Sequence, residues 1–535
     1  MKPYSRLLVI LVLFLACIPG AETAEIDNET RYCVAIRGNG GRGAAHISAL
    51  AKSHEQYGLL WGIAGTSSGS VVSFIVDSIY GNPLLYDCDG ARCTPQETAA
   101  RAALLMKSEL NRSAALVQFP ESSAFFLFFR IEPILKQLKV EQLLNDDPAA
   151  GLATLRAIVS DPRIKTAVNQ EILELLDRSP KPVEVAKDIV KGLVLGSEFK
   201  FDNATTFIRP GIVSYPALSE FLGRVGDFYA LEKNFSDKTG MNNYLKACAT
   251  PGRGKPWTEV RDLPAGDSTC GKTYVGLIQN YYRAAIASGQ PSKRLDQPVG
   301  TNLHTLVANA VIVGQSAERW RQARQAYVTG TPMEWAPTME DLRIGFFGRA
   351  ADLDRLHANP LQFDDIKTQK HHIFKNQTWR QVLQTSPAEP SVSRGVELPT
   401  KDPEIALGGW VELHPVQPLL NIGCQEVVLQ TTEGSILDSY SDQVLSLFNP
   451  TQTERNKFYS FSNAESSVAQ ALKKATGIKC IEYDQFPITD VDGLGNIGWN
   501  APFLTHSPFF TNAKNPDPNI VSRFSKKGCA PGVAD

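Results

Sequence analysis

LLWGIAGTSSGSVVSFIVDSIYG, Leu59 to Gly81, holds a strand, a turn and a helix in one short stretch. LLWGIAG (59–65) is an apolar run that reads as a strand. Gly65-Thr66-Ser67-Ser68-Gly69 spells G-x-S-x-G, and a helix is expected from Ser68 through VVSFIVDSIYG (71–81). That is the context in which G-x-S-x-G presents a nucleophile. The sharp turn projects the serine Oγ at the start of a helix, and small neighbours let the backbone bend. The helix N-terminus then favours developing negative charge. A chemically idle serine-rich turn would have the same composition, so the surrounding sequence has to decide.

Upstream, RYCVAI (31–36) reads as another strand and is followed by RGNGGRGAAHIS (37–48). Gly38, Gly40 and Gly43 fit G-x-G-x-x-G, the dinucleotide fingerprint. That fingerprint needs an acidic residue about 20 residues on, at the tip of the second strand, to hold the ribose. The tip here is GTSSG, and Glu55 falls inside the preceding helix. A nucleotide is therefore not expected. Instead the two turns suit one reaction. A serine acyl hydrolase needs amides aimed at the oxyanion of its tetrahedral intermediate, and a glycine turn on a neighbouring parallel strand supplies them. Ser67 follows Gly38 by 29 residues, about one helical return, so both turns are expected at the same edge of a sheet.

These motifs resemble those of the patatin-like phospholipase family. The family's glycine turn stands here as Gly38-Asn39-Gly40-Gly41-Arg42-Gly43, with Asn39 as the departure, and its nucleophile box as Gly65 to Gly69. TWRQVLQTSPAEPSV (378–392) is similar to a later family stretch with a small-residue turn and a proline. GGWVELHPVQPLLNIGCQEVVLQT (408–431) resembles the segment after the family's catalytic aspartate. The resemblance spans roughly 30–80 and 375–435. It implies an α/β fold with a three-layer α/β/α core; the helix-rich stretch between the matched parts reads by its own pattern as a large, mainly helical insertion. The resemblance also implies hydrolysis of lipid or phospholipid esters by a Ser–Asp pair without histidine, with no cofactor or metal. Ser67 is then the nucleophile, and Gly38, Gly40, Gly41 and Arg42 form the oxyanion turn.

One position departs from this pattern. Where the family has Asp-Gly-Gly, this chain has Leu407-Gly408-Gly409, and leucine accepts no proton. Asp492, in DVDGLGNIGWNAPF, is the replacement base expected here, and Asp402 is nearer in sequence. Two other readings stay open: a patatin-fold protein that binds lipid or protein without hydrolysing it, and a Ser-His-Asp esterase using Ser67, Asp492 and either His506 or His414.

Composition excludes some partners. The chain has 535 residues, 21% charged, and a net charge of −2, which gives no bulk attraction for nucleic acid. Lys2 and Arg6, the apolar LLVILVLFLAC (7–17), then Pro19 and Gly20, read as a signal peptide over 1–24, so export to a periplasm or the extracellular space is expected. Cys17 fits a lipoprotein box poorly. Of the remaining cysteines, Cys88 and Cys93 are close enough to close a small loop, and Cys248 and Cys270 could staple another. No CxxC pair occurs, so zinc is not expected. AFFLFFRI (124–131) is either a surface meeting lipid or a buried segment.

The expected division is an α/β core from 30–95 and 340–435, an insertion over 96–339, and a C-terminal segment, 436–535, completing or flanking the core. Helix is expected to return over NLHTLVANAVIVGQSAERWRQARQAYV (302–328), and strands at LRIGFFG (342–348), near 405–411, at QEVVLQT (425–431) and at KCIEYDQF (479–486).

Overall fold

The computed structural model describes residues 31–38, 44–88, 91–103, 105–106, 134–162, 164–193, 207–230, 280–331, 333, 335, 337–358, 371–388, 395–398, 400, 403–411, 415–432, 451, 478–483 and 523–525. The leader, AFFLFFRI, Cys248, Cys270, Asp402, His414, Asp492 and His506 lie outside these residues, as do Gly40, Gly41 and Arg42.

YCVAI forms β1 (Tyr32–Ile36), all five residues buried. It has no polar alternation because both its faces are covered, as in parallel sheets. The chain continues through α1 (Ala44–Tyr57), β2 (Gly62–Thr66) and α2 (Ser68–Tyr80). Later come α3 (Tyr215–Ala230), β3 (His304–Val313), α4 (Gln315–Thr329), β4 (Leu342–Gly348), α5 (Ala350–Ala358), β5 (His371–Lys375) and α6 (Trp379–Thr385). These are followed by β6 (Val396–Leu398), β7 (Glu404–Ala406), α7 (Val416–Ile422), β8 (Glu426–Thr432), β9 (Ile478–Tyr483) and β10 (Arg523–Ser525). The strands make one mixed sheet in the order β10-β9-β8-β1-β2-β3-β4-β5. β9, β8, β1, β2 and β3 run parallel, so their C-terminal ends share one edge. β4 and β5 run the other way, and β7 pairs antiparallel with the far end of β3 and with β6.

Alternate residues of the central strands feed two cores. Tyr32, Val34 and Ile36 pack with α1, α2 and α6 through Leu50, Val76 and Trp379. Cys33 and Ala35 face a second core with α4, α5 and α7 through Trp320, Leu353 and Leu419. Helices thus cover both faces of a parallel-dominated sheet. Among the described residues the 134–193 stretch is helical, with helices Val140–Asp146, Pro148–Val159, Gln170–Arg178 and Pro182–Leu193.

The helix expected over 302–328 is corrected. Residues 304–313 are β3, a central strand, and only Gln315 onward is helical. LVANAVIV is a short apolar run buried on both faces, which periodicity alone cannot tell from helix. The branched residues Thr305, Val307, Val311, Ile312 and Val313 tip it to strand. Gly314, at φ 69°, makes the turn into α4. The expected insertion therefore yields this part to the sheet.

Cys88 and Cys93 are bonded. A second disulfide, Cys33–Cys424, joins β1 to the turn before β8 across 391 residues of sequence. Lower on α2, Asp77 and Arg294 form a buried ion pair. Asp77 also accepts from Trp379 Nε1 at 3.0 Å and from the amides of Asn302 and Leu303, each at 2.9 Å. Arg294 donates to Ser78 Oγ at 3.0 Å and to Gln297. The network ties α2, α6 and the 294–303 loop together.

Candidate active site

β2 stops at Thr66, which lies opposite Ala308 of β3. The next residue, Ser67, has φ 52° and ψ −119°, and α2 begins at Ser68. A non-glycine residue there is in sparsely populated backbone territory, at a cost of roughly 1–3 kcal/mol. Ser67 sits at the N-cap position, yet its side chain caps nothing. Its carbonyl, by contrast, accepts from Ser70 N at 2.9 Å and from Ser70 Oγ at 2.5 Å, closing the first turn of the helix.

Close approach explains both glycines of the box. A Cβ on Gly65 would come within 2.2 Å of the Gly69 carbonyl oxygen, and one on Gly69 within 2.7 Å of the Ile36 carbonyl oxygen. Strand β2 and the head of α2 therefore touch backbone to backbone, and the elbow rests on the C-terminal end of β1. Gly38 lies two residues beyond that end and is buried. The structure thus brings Ser67 and the start of the glycine turn to one edge. Gly40, Gly41 and Arg42 are outside the described residues.

His46, in α1, is fully buried and was not anticipated from sequence. Its ring hydrogen-bonds the Arg37 backbone, which fixes the exit of β1 into the glycine turn. Burial lowers its pKa to about 3, so the ring is neutral near neutral pH. A polar residue among the buried positions of the helix that follows the glycine-rich stretch was the signal available for it.

The third motif also arrives at the elbow. The Leu407 amide donates to Ala310 O at 2.8 Å, and the Ala310 amide donates to Gly408 O at 2.8 Å. Gly408 has φ 87°, which favours glycine, and a Cβ on Gly409 would lie 2.5 Å from Ser67 N. Gly409 therefore lies against the elbow, with Leu407 and Gly408 leading into it alongside β3. The Leu407 side chain is instead buried in the second core, near Gly395, Ile405 and Trp320. It holds the apolar core together and offers the serine no proton acceptor.

Two further polar residues, unmarked in the sequence, border the elbow. Ser386, the C-cap of α6, accepts the Ser67 amide proton on Oγ at 3.0 Å. Asn309, the residue of β3 after Ala308, donates from Nδ2 to Thr385 Oγ1 at 3.1 Å. Its Oδ1 is buried with no partner among the described residues. No described carboxylate or histidine hydrogen-bonds Ser67. The described buried carboxylates are engaged elsewhere: Asp77 with Arg294, Glu404 with His372 at 3.1 Å, and Asp352 with His304 at 2.8 Å.

Chemically, the arrangement offers a hydroxyl free of capping duty at a helix head, at the sheet edge that also carries Gly38. Among the described residues no cluster of His, Cys, Asp or Glu could hold a metal ion. No described helix is long and apolar enough to cross a membrane. No protein-family model, curated protein or solved structure matches the chain.

Proposed function

We propose that this chain is a serine acyl hydrolase with a patatin-like three-layer core, acting on lipid or phospholipid carboxylic esters. The observation that carries the reading is the backbone of Ser67, at φ 52° and ψ −119°. Glycine would adopt that conformation without the strain. A serine kept there, with its side chain spared from capping, suits a position where the hydroxyl itself is used.

In this reading Ser67 Oγ attacks the ester carbonyl carbon while its proton passes to a carboxylate. Amides around Gly38, Gly40 and Gly41 take the oxyanion, and Arg42 steadies their turn. Collapse of the intermediate breaks the ester C–O bond. The carboxylic acid returns the proton to the leaving alcohol, and water then hydrolyses the acyl-serine. Asp492 is the proposed acceptor. Its support is that β9 runs parallel to β8 and β1, so the chain leaves Tyr483 at the edge where Ser67 sits. Export is proposed on the leader and is supported by the two disulfides, which persist in oxidising compartments.

Leu407 favours a second reading, in which the same fold binds lipid or protein without turning it over. Labelling with a fluorophosphonate separates the two. A hydrolase labels at Ser67, loses labelling in Ser67→Ala and labels far more slowly in Asp492→Asn. An unlabelled wild type that also leaves short-chain esters intact would favour the binding reading. Wild-type labelling at full rate in Asp492→Asn would remove Asp492 alone.

A further inference from the structure

The Ser67 amide has an unusual position. The β2–β3 ladder ends with Thr66 opposite Ala308, and the turn at φ 52° swings the next N–H out of that ladder. Ser67 is 6% exposed, so an unmet donor there would carry a full desolvation penalty. Ser386 meets it. Its Oγ accepts the Ser67 N–H at 3.0 Å and donates its own proton to Ala308 O at 3.4 Å. The Ser386 amide is in turn fixed to Val382 O at 2.8 Å, so the hydroxyl is carried on the rigid end of α6.

Gly409 makes this reach possible. A Cβ at 409 would stand 2.5 Å from Ser67 N and 3.1 Å from Ser386 Oγ, displacing the contact. Three stretches distant in sequence thus converge on a single N–H.

We propose that Ser386 is a positioning residue for the nucleophile: its hydroxyl holds the Ser67 amide and thereby keeps the strained backbone that aims Ser67 Oγ. The proposal rests on the hydrolase reading for its kinetic consequence, and on geometry alone for the held amide. Ser386 touches no reacting atom. Removing its hydroxyl lets the elbow relax toward an ordinary φ and misdirects the nucleophile, while the substrate surface stays intact.

The test is the rate of fluorophosphonate labelling of the full chain, with ester hydrolysis and amide exchange alongside. Ser386→Ala is expected to slow labelling about 10- to 100-fold, as an unsatisfied buried donor implies. The labelled fraction at the end-point stays that of wild type, and kcat falls with KM unchanged. Ser386→Thr, which keeps the hydroxyl, restores the rate. Ser386→Cys, close in size but a weak acceptor, falls between and serves if the alanine variant does not fold. Wild-type labelling rates in both Ser386→Ala and Ser386→Cys would overturn the proposal. So would a loss confined to the end-point, which marks a merely structural role. If the wild type itself is unlabelled, the hydrolase reading fails separately, and hydrogen exchange at the Ser67 amide decides. Exchange at least about tenfold faster in Ser386→Ala supports the hold, and unchanged exchange refutes it.

Discussion

At the lower end of α2, Asp77 has four donors on its two oxygens: Arg294, Trp379, Asn302 and Leu303. At the upper end, no described residue hydrogen-bonds Ser67 Oγ, and Asn309 Oδ1 is buried with no partner among the described residues. One helix therefore carries a saturated polar network at one end and a strained, under-bonded turn at the other. Saturation fixes a fold. Strain and unused polar capacity cluster at sites where side chains meet a substrate, which is the role proposed for Ser67. The saturated end is the frame against which the strained end is held.

The largest effect expected from breaking this contrast is at Asp77. Asp77→Ala leaves Arg294 buried without its counter-ion, and a loss of about 3–5 kcal/mol is expected. A shift of the urea midpoint measures it. The folded fraction should still label at the wild-type rate. A tenfold fall in that rate would show that the two ends are not separable.

Acid should attack the saturated end next. His54 Nε2 bonds Tyr80 Oη at 2.9 Å, at the foot of α2, and its Nδ1 bonds Leu50 O at 2.8 Å. Tyr80 Oη also accepts the Leu60 amide at 2.7 Å, so the proton on Nδ1 goes to Leu50 and Tyr80 donates to Nε2. Burial lowers the His54 pKa from 6.5 to about 4, partly opposed by the Leu50 bond. The folded state thus prefers the neutral ring. The stabilisation is full above about pH 6.5 and is lost as pH falls toward 4, at about 1.4 kcal/mol per unit. His46, lowered to about 3, adds to the loss in the same window. Melting temperatures between pH 7.5 and 4.5 should fall accordingly. His54→Gln should flatten that slope and Ser67→Ala should not. An equal slope in wild type and His54→Gln would contradict the assignment.

How far the sequence disclosed this contrast depends on range. β1, β2 and α2 were legible because local patterns decide them: an unbroken apolar run for a strand covered on both sides, and glycines where backbones touch. Gly409, which packs against Ser67, fell in the stretch picked out by motif likeness, and leucine at 407 accepts no proton whatever its placement. Helix was expected where β3 stands, because a doubly buried strand has no distinctive period. Ser386 and Cys424 were illegible for another reason. Each acts on a partner more than 300 residues away, Ser67 and Cys33 respectively, and no local pattern encodes which serine or cysteine will arrive there.

A smaller effect sharpens the strained end. Ser67→Gly should relieve the backbone strain, less the entropy that glycine loses on folding, for a net gain of about 1 kcal/mol. The same substitution should abolish labelling. Stability rising as reactivity disappears would mark Ser67 as retained for chemistry, and a destabilised Ser67→Gly would remove the strain argument.

The most direct test of the central claim is fluorophosphonate labelling of the wild-type chain, with the modified residue located by peptide mass spectrometry. A single adduct on Ser67, absent in Ser67→Ala, is expected. A wild type that remains unmodified while folded, or an adduct on another serine that persists in Ser67→Ala, would contradict it.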